Sequence, residues 1–120
     1  TLLRKGRSIM IKAFPTLQRG THVFGTSYTF KPVQVGPYEV SIQASEDHYC
    51  TPRENYASAE PYTAFEVAIF RDDWFVLPHE DARFKGREWA HKWTARREVG
   101  SRVSRDEVVQ LLADLRATLD

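Results

Sequence analysis

Tyr38-Glu-Val-Ser-Ile-Gln-Ala44 (YEVSIQA, residues 38–44) alternates apolar and polar side chains without a break. In an extended chain Tyr38, Val40, Ile42 and Ala44 fall on one side and Glu39, Ser41 and Gln43 on the other, because strand side chains alternate with a period of two. One dry face and one wet face is the pattern of an antiparallel or edge strand. The neighbours of this stretch decide what it pairs with.

Downstream, residues 45–61 hold almost nothing apolar except Tyr49, Tyr56 and small side chains. A polar connection of this length is usually functional or mobile. Order returns at residues 62–70, where Phe65, Val67 and Ile69 alternate with Ala64, Glu66 and Ala68. Phe70 continues the second set, so both faces are expected to be covered, as in a central strand. Helix is the runner-up there, since Ala-Phe-Glu-Val-Ala contains no breaker. Arg71-Asp72-Asp73 reads as a hairpin turn into a strand at 74–77, stopped by Pro78. Residues 79–87 form a helical turn or an ordered loop, and 88–103 are the hardest to place, with 97–103 reading best as a strand.

The strongest local signal is Ser104-Arg-Asp-Glu107. Ser104 accepts from the Glu107 amide and the Glu107 carboxylate reaches back to the Ser104 amide, a capping box. The acids also suit the positive end of the helix dipole. Val108, Leu111, Leu112, Leu115 and Leu119 then recur at helical spacing as one apolar stripe over 104–120. Upstream of Tyr38, residues 8–14 read as a strand ended by Pro15. Residues 22–30 read as a second strand with Gly25 as a bulge or bend, followed by a short Val-Gln-Val piece between Lys31-Pro32 and Gly36-Pro37.

These elements compose one α+β domain spanning 1–120, a mainly antiparallel sheet with the C-terminal helix packed on one face and 1–7 as a flexible basic lead-in. A chain of 120 residues with 42% hydrophobic side chains has the material for a real core. No run approaches the ~20 apolar residues of a membrane span. The apolar runs near residue 1 are broken by Arg4, Lys5, Arg7 and Lys12, so no uninterrupted secretory h-region is expected. Cys50 is the only cysteine, so neither an internal disulfide nor a cysteine-built metal cage can form. A cytoplasmic setting fits.

The net charge of +1 conceals blocks of opposite sign. Residues 1–20 carry five basic side chains and no acid, 21–82 carry three against ten acids, and 83–105 carry eight against Glu88 and Glu98. Either the blocks interleave into a mixed surface, or 83–105 makes a basic face. In that segment Arg83, Lys85, Arg87, Lys92, Arg96 and Arg97 are interspersed with Trp89, His91 and Trp93. Basic side chains with aromatics suit phosphate pairing and base stacking, while Trp and Arg also make protein-interface hot spots. Two tryptophans on one face are more often core anchors. The binding candidates are Arg83, Lys85, Arg87, Trp89, Lys92, Trp93, Arg96 and Arg97.

The loop Glu46-Asp-His-Tyr-Cys-Thr-Pro-Arg-Glu54 is the most chemically dense stretch, with His48, Tyr49, Cys50 and Arg53 as candidates. A cysteine–histidine nucleophile needs His48 and Cys50 facing each other and a lowered thiol pKa. Glu66 stands inside an apolar strand, either as a half-buried acid or base, or paired with an arginine such as Arg53, or facing water. His22, His48, His79 and His91 show no metal-ligand spacing, and no phosphate-loop or dinucleotide fingerprint occurs. No cofactor is expected, and His79-Glu80-Asp81 reads as the cap of a turn after Pro78.

Residues 38–53, containing His48-Tyr-Cys-Thr-Pro-Arg53, followed by Tyr62-Thr-Ala-Phe-Glu-Val-Ala-Ile-Phe70, resemble a pattern in small uncharacterised proteins of bacteriophages and prophages. The likeness covers about a fifth of the chain. It implies a shared local structure around His48, Tyr49, Cys50, Pro52, Arg53, Tyr62 and Glu66, and it carries no catalytic residues. Such proteins act by binding host machinery, and anti-CRISPR inhibitors are one class of comparable size. The expected function is therefore a non-catalytic binding protein of phage or mobile-element origin. It inhibits a bacterial protein or nucleoprotein complex in the host cytoplasm, with 83–105 as the contact segment. The alternatives are a nucleic-acid-binding module using that segment, and a small enzyme built on His48, Cys50, Arg53 and Glu66.

Overall fold

The computed structural model describes residues 13–22 and 25–120, with 21, 22 and 25–27 as backbone only. The chain is α+β. Strands β1 (Arg19–His22) and β2 (Gly25–Phe30) form an antiparallel ribbon. The expected single strand over 22–30 is thus two strands, with His22 opposite Gly25, and Gly25 opens β2 instead of bulging one strand. The expected strand at 8–14 and the basic lead-in lie outside the described residues, except for Ala13 and Phe14, which are not in a strand.

The main sheet contains β3 (Val33–Val35), β4 (Tyr38–Gln43), β5 (Ala64–Arg71), β6 (Trp74–Val76) and β7 (Gly100–Ser104), all paired antiparallel. The YEVSIQ alternation sits inside the sheet, between β3 and β5. Tyr38, Val40 and Ile42 are fully buried. The opposite face is wet only in part. Gln43 is buried because its amide takes up both backbone groups of Phe30, accepting from the N–H at 2.6 Å and donating to the carbonyl at 2.9 Å. That one side chain fastens the ribbon across β4.

β5 is the central strand. One of its edges is filled by β4. Its other edge is shared end to end: β7 pairs near Ala64–Val67 and β6 pairs with Ile69–Arg71. Residues 77–99 must therefore leave the sheet and return beside the same strand. They do so through turns and a 3₁₀ helix, Glu88–Trp93. Only Gly100–Ser104 of the stretch 97–103 and its neighbour is strand.

The helix α1 (Arg105–Ala117) begins at the expected capping box. Glu107 N–H donates to Ser104 Oγ at 3.1 Å and Ser104 N–H donates to Glu107 Oε1 at 2.9 Å. Val108, Leu111, Leu112 and Leu115 pack into the core with Phe65, Val67 and Ile69 of β5. No helix among the described residues is long and apolar enough to cross a membrane.

Candidate functional site

The loop between β4 and β5 is built by its own polar groups. Ser45 Oγ lies 2.7 Å from His48 Nδ1 and accepts from Asp47 N–H. Asn55 Oδ1 accepts from Glu46 N–H, and Arg53 donates to the Glu46 carbonyl. Tyr62 Oη gathers the distal part of the loop, accepting from Tyr56 N–H and Arg19 and donating to the Glu54 carbonyl. Arg105 reaches from the start of α1 to the carbonyls of Ala59 and Tyr62. Aromatic side chains and arginines pin the loop to the body.

His48 and Cys50 are not arranged as a nucleophile pair. Cys50 is 1% exposed, and its thiol donates to the carbonyls of Ser45 and Pro52, each at 3.2 Å. Burial pushes that thiol up from its ordinary pKa, which disfavours the reactive thiolate. Burial lowers His48, and its Nδ1 is engaged by Ser45. Glu66 neither pairs with Arg53 nor faces open water. It is half-buried, and its Oε1 accepts from the Tyr49 N–H at 3.2 Å, so this carboxylate anchors the loop backbone. No three His, Cys, Asp or Glu side chains among the described residues are placed to hold a metal ion.

Segment 83–105 divides. Trp89 and Trp93 are 1% and 0% exposed, which corrects their assignment as contact residues. The 3₁₀ helix turns both inward, their rings meet edge-on at 5.7 Å, and Trp89 Nε1 donates to the buried Asp114 at 2.8 Å. Four cations of the segment face carboxylates: Arg83 with Asp81, Arg87 with Asp114, Lys92 with Glu107 and Arg97 with Glu80. The two-pronged Arg83 contact holds the Asp81 carboxyl below its ordinary range. Arg83 also donates to Tyr38 Oη, at the hairpin end of β5. Lys85 is exposed. Arg96 lies 4.1 Å from the Tyr49 ring centre and Arg53 lies 5.4 Å from it. Arg102 N–H donates to the Tyr49 carbonyl. The dense loop and the basic segment thus meet at one point, where the guanidiniums of Arg53 and Arg96 approach the Tyr49 ring and neither makes an ion pair among the described residues.

A second feature was not singled out from the sequence. At the β5–β6 turn Asp72 and Asp73 have φ of 54° and 66°, and Arg71 pairs with Trp74 across them. Two residues at positive φ make the tight hairpin whose twist suits adjoining strands. It holds Trp74 at 78% and Phe75 at 39% exposure. The Phe75 ring lies 4.7 Å from that of half-buried Phe70. Trp74 alternates with buried Val76, so it points toward the core side of the sheet but beyond the core's end. Beside the Phe70 face lies an open cleft of about 380 Å³ bounded by Gln34, Pro37, Glu39, Phe70, Asp72 and Asp73. The other face has a groove of about 390 Å³ between Trp74 and Arg83. The available clue was position: the first residue after a two-residue turn lies farthest from the body.

No family model, curated protein or solved structure matches the chain.

Proposed function

We propose that this protein is a non-catalytic binding protein that masks the surface of another macromolecule, using the β5–β6 hairpin end as its principal contact. Trp74 carries this proposal. A tryptophan 78% exposed beside a two-residue turn forgoes the burial that large apolar side chains normally gain, and Phe75, 39% exposed, follows it on the opposite face of the same short strand. Exposed large apolar side chains gathered at one strand end mark interaction surfaces, and tryptophan is enriched among residues that dominate binding energy. The polar loop, by contrast, spends its thiol, imidazole and carboxylate on internal bonds.

The finer part of the proposal is a phage or mobile-element origin and inhibition of a bacterial protein or nucleoprotein complex in the host cytoplasm, with an anti-CRISPR role as its sharpest form. Its support is the resemblance of residues 38–53 and 62–70 to small phage and prophage proteins. The test is affinity capture from bacterial lysate with the full chain and with Trp74→Ala, read by mass spectrometry. The expected outcome is a host protein enriched by the first and lost from the second. Equal yields from both would remove the hairpin as the contact.

A second proposal, direct nucleic-acid contact, has one specific observation in its favour: the guanidiniums of Arg53 and Arg96 beside the Tyr49 ring. It requires DNA or RNA binding that weakens steeply with salt and is lost in Arg53→Gln/Arg96→Gln.

A further inference from the structure

Resting on the hairpin reading above, we infer that the segment docking there is a basic stretch of a partner protein. It wraps the outer edge of β6, laying apolar side chains on Phe75 on one face and Trp74 on the other, and sets an arginine or lysine into the cleft beside Phe70. The register places Glu39, Phe70 and Phe75 in one row across β4, β5 and β6. With Asp72 and Asp73, the row frames an aromatic surface with three carboxylates and no cation in the cleft lining. None of the three makes an ion pair or a side-chain hydrogen bond among the described residues. The turn does not need them: at positive φ, asparagine or glycine serves at least as well, and two adjacent aspartates repel. A cation entering the cleft relieves that repulsion and gains from the face of Phe70 or Phe75. Nucleic acid meets only like charge there.

The occupant follows from charge complementarity, which sets partner choice and encounter rate more than raw affinity. The probes are a fluorescein-labelled hexapeptide of alternating arginine and leucine and its glutamate–leucine counterpart, read by polarisation with the full chain. The arginine peptide is expected to bind about tenfold tighter or better, with affinity falling as salt rises. Glu39→Gln/Asp72→Asn/Asp73→Asn keeps the turn, because asparagine tolerates the left-handed region. It should weaken the arginine peptide by about tenfold and flatten its salt dependence. Trp74→Ala should weaken it too. Equal or better binding of the glutamate peptide, no binding of the arginine peptide at millimolar concentration, or indifference to the charge variant overturns the inference. A dimer in sedimentation that Trp74→Ala dissolves also overturns it, by making a second copy the occupant. If Trp74→Ala abolishes capture of a host protein that the charge variant still captures, the docking surface stands and the basic partner falls.

Discussion

Replacing Gly100 with alanine probes the packing that turns two tryptophans into core. A Cβ built on Gly100 lies 2.7 Å from Cζ3 and 2.8 Å from Cε3 of Trp93, and 2.8 Å from Cγ2 of Val103. Trp93 and Val103 are both fully buried, so neither can swing into solvent to make room. At a strand position alanine ordinarily stabilises by about 0.4–1 kcal/mol, because it narrows the unfolded ensemble. Forcing an extra methyl into a filled core costs about 1–3 kcal/mol. The steric effect wins, and a net loss of about 1–2 kcal/mol is expected. In urea, with a slope of about 1–3 kcal/mol/M, the midpoint should fall by roughly 0.5–1 M. Trp93→Phe removes the colliding ring edge along with an indole N–H that is buried without an acceptor. In that background the clash with the Trp93 ring is relieved while that with Val103 Cγ2 remains, so the cost of Gly100→Ala should fall, giving a coupling of about 1 kcal/mol in the double-mutant cycle. A neutral or stabilising Gly100→Ala, or an equal cost in both backgrounds, would refute the placement of Trp93 against β7.

The three tryptophans should separate in acrylamide quenching: Trp74→Phe removes the quenchable emission and changes stability by no more than about 0.5 kcal/mol, as expected of a surface site. Cys50 should resist a thiol reagent in the native state and react fully in urea; rapid native labelling would contradict its burial and its two hydrogen bonds. His48 is held below its ordinary pKa by burial, so the unfolded chain takes up its proton first. Its contribution to stability is complete above about pH 6.5 and declines as pH falls below that, and His48→Gln should flatten this part of the stability–pH curve. Ser104→Ala should cost about 1 kcal/mol in urea unfolding, the usual loss for an N-cap hydroxyl.

How much of this molecule was readable before folding depends on the range of the forces involved. The YEVSIQA alternation, the central strand around Phe65–Ile69, the Asp72-Asp73 turn and the Ser104–Glu107 box rest on neighbours within a few residues, and each appears where the sequence places it. The single strand expected over 22–30 failed because a run of β-favouring residues cannot show that Arg19–His22 will pair with Gly25–Phe30. Gln43 looked wet, since an alternating pattern cannot show that the amide will meet the backbone of Phe30.

The candidate site was harder to read, and the tryptophans show why. Tryptophan joins a large apolar surface to one polar N–H, so core and interface draw on the same residue. By itself the sequence determined the α+β character, the capped helix, the single thiol and a hairpin turn at Arg71-Asp72-Asp73. Only the tertiary structure decided which tryptophans were spent on the core. β6 and β7 share one edge of β5, so the intervening chain folds back over the sheet and buries Trp89 and Trp93. The same arrangement leaves β6 just three residues long, and Trp74, the first residue after the turn, is left largely uncovered among the described residues. Burial depends on which distant segments arrive, and no local pattern carries that information.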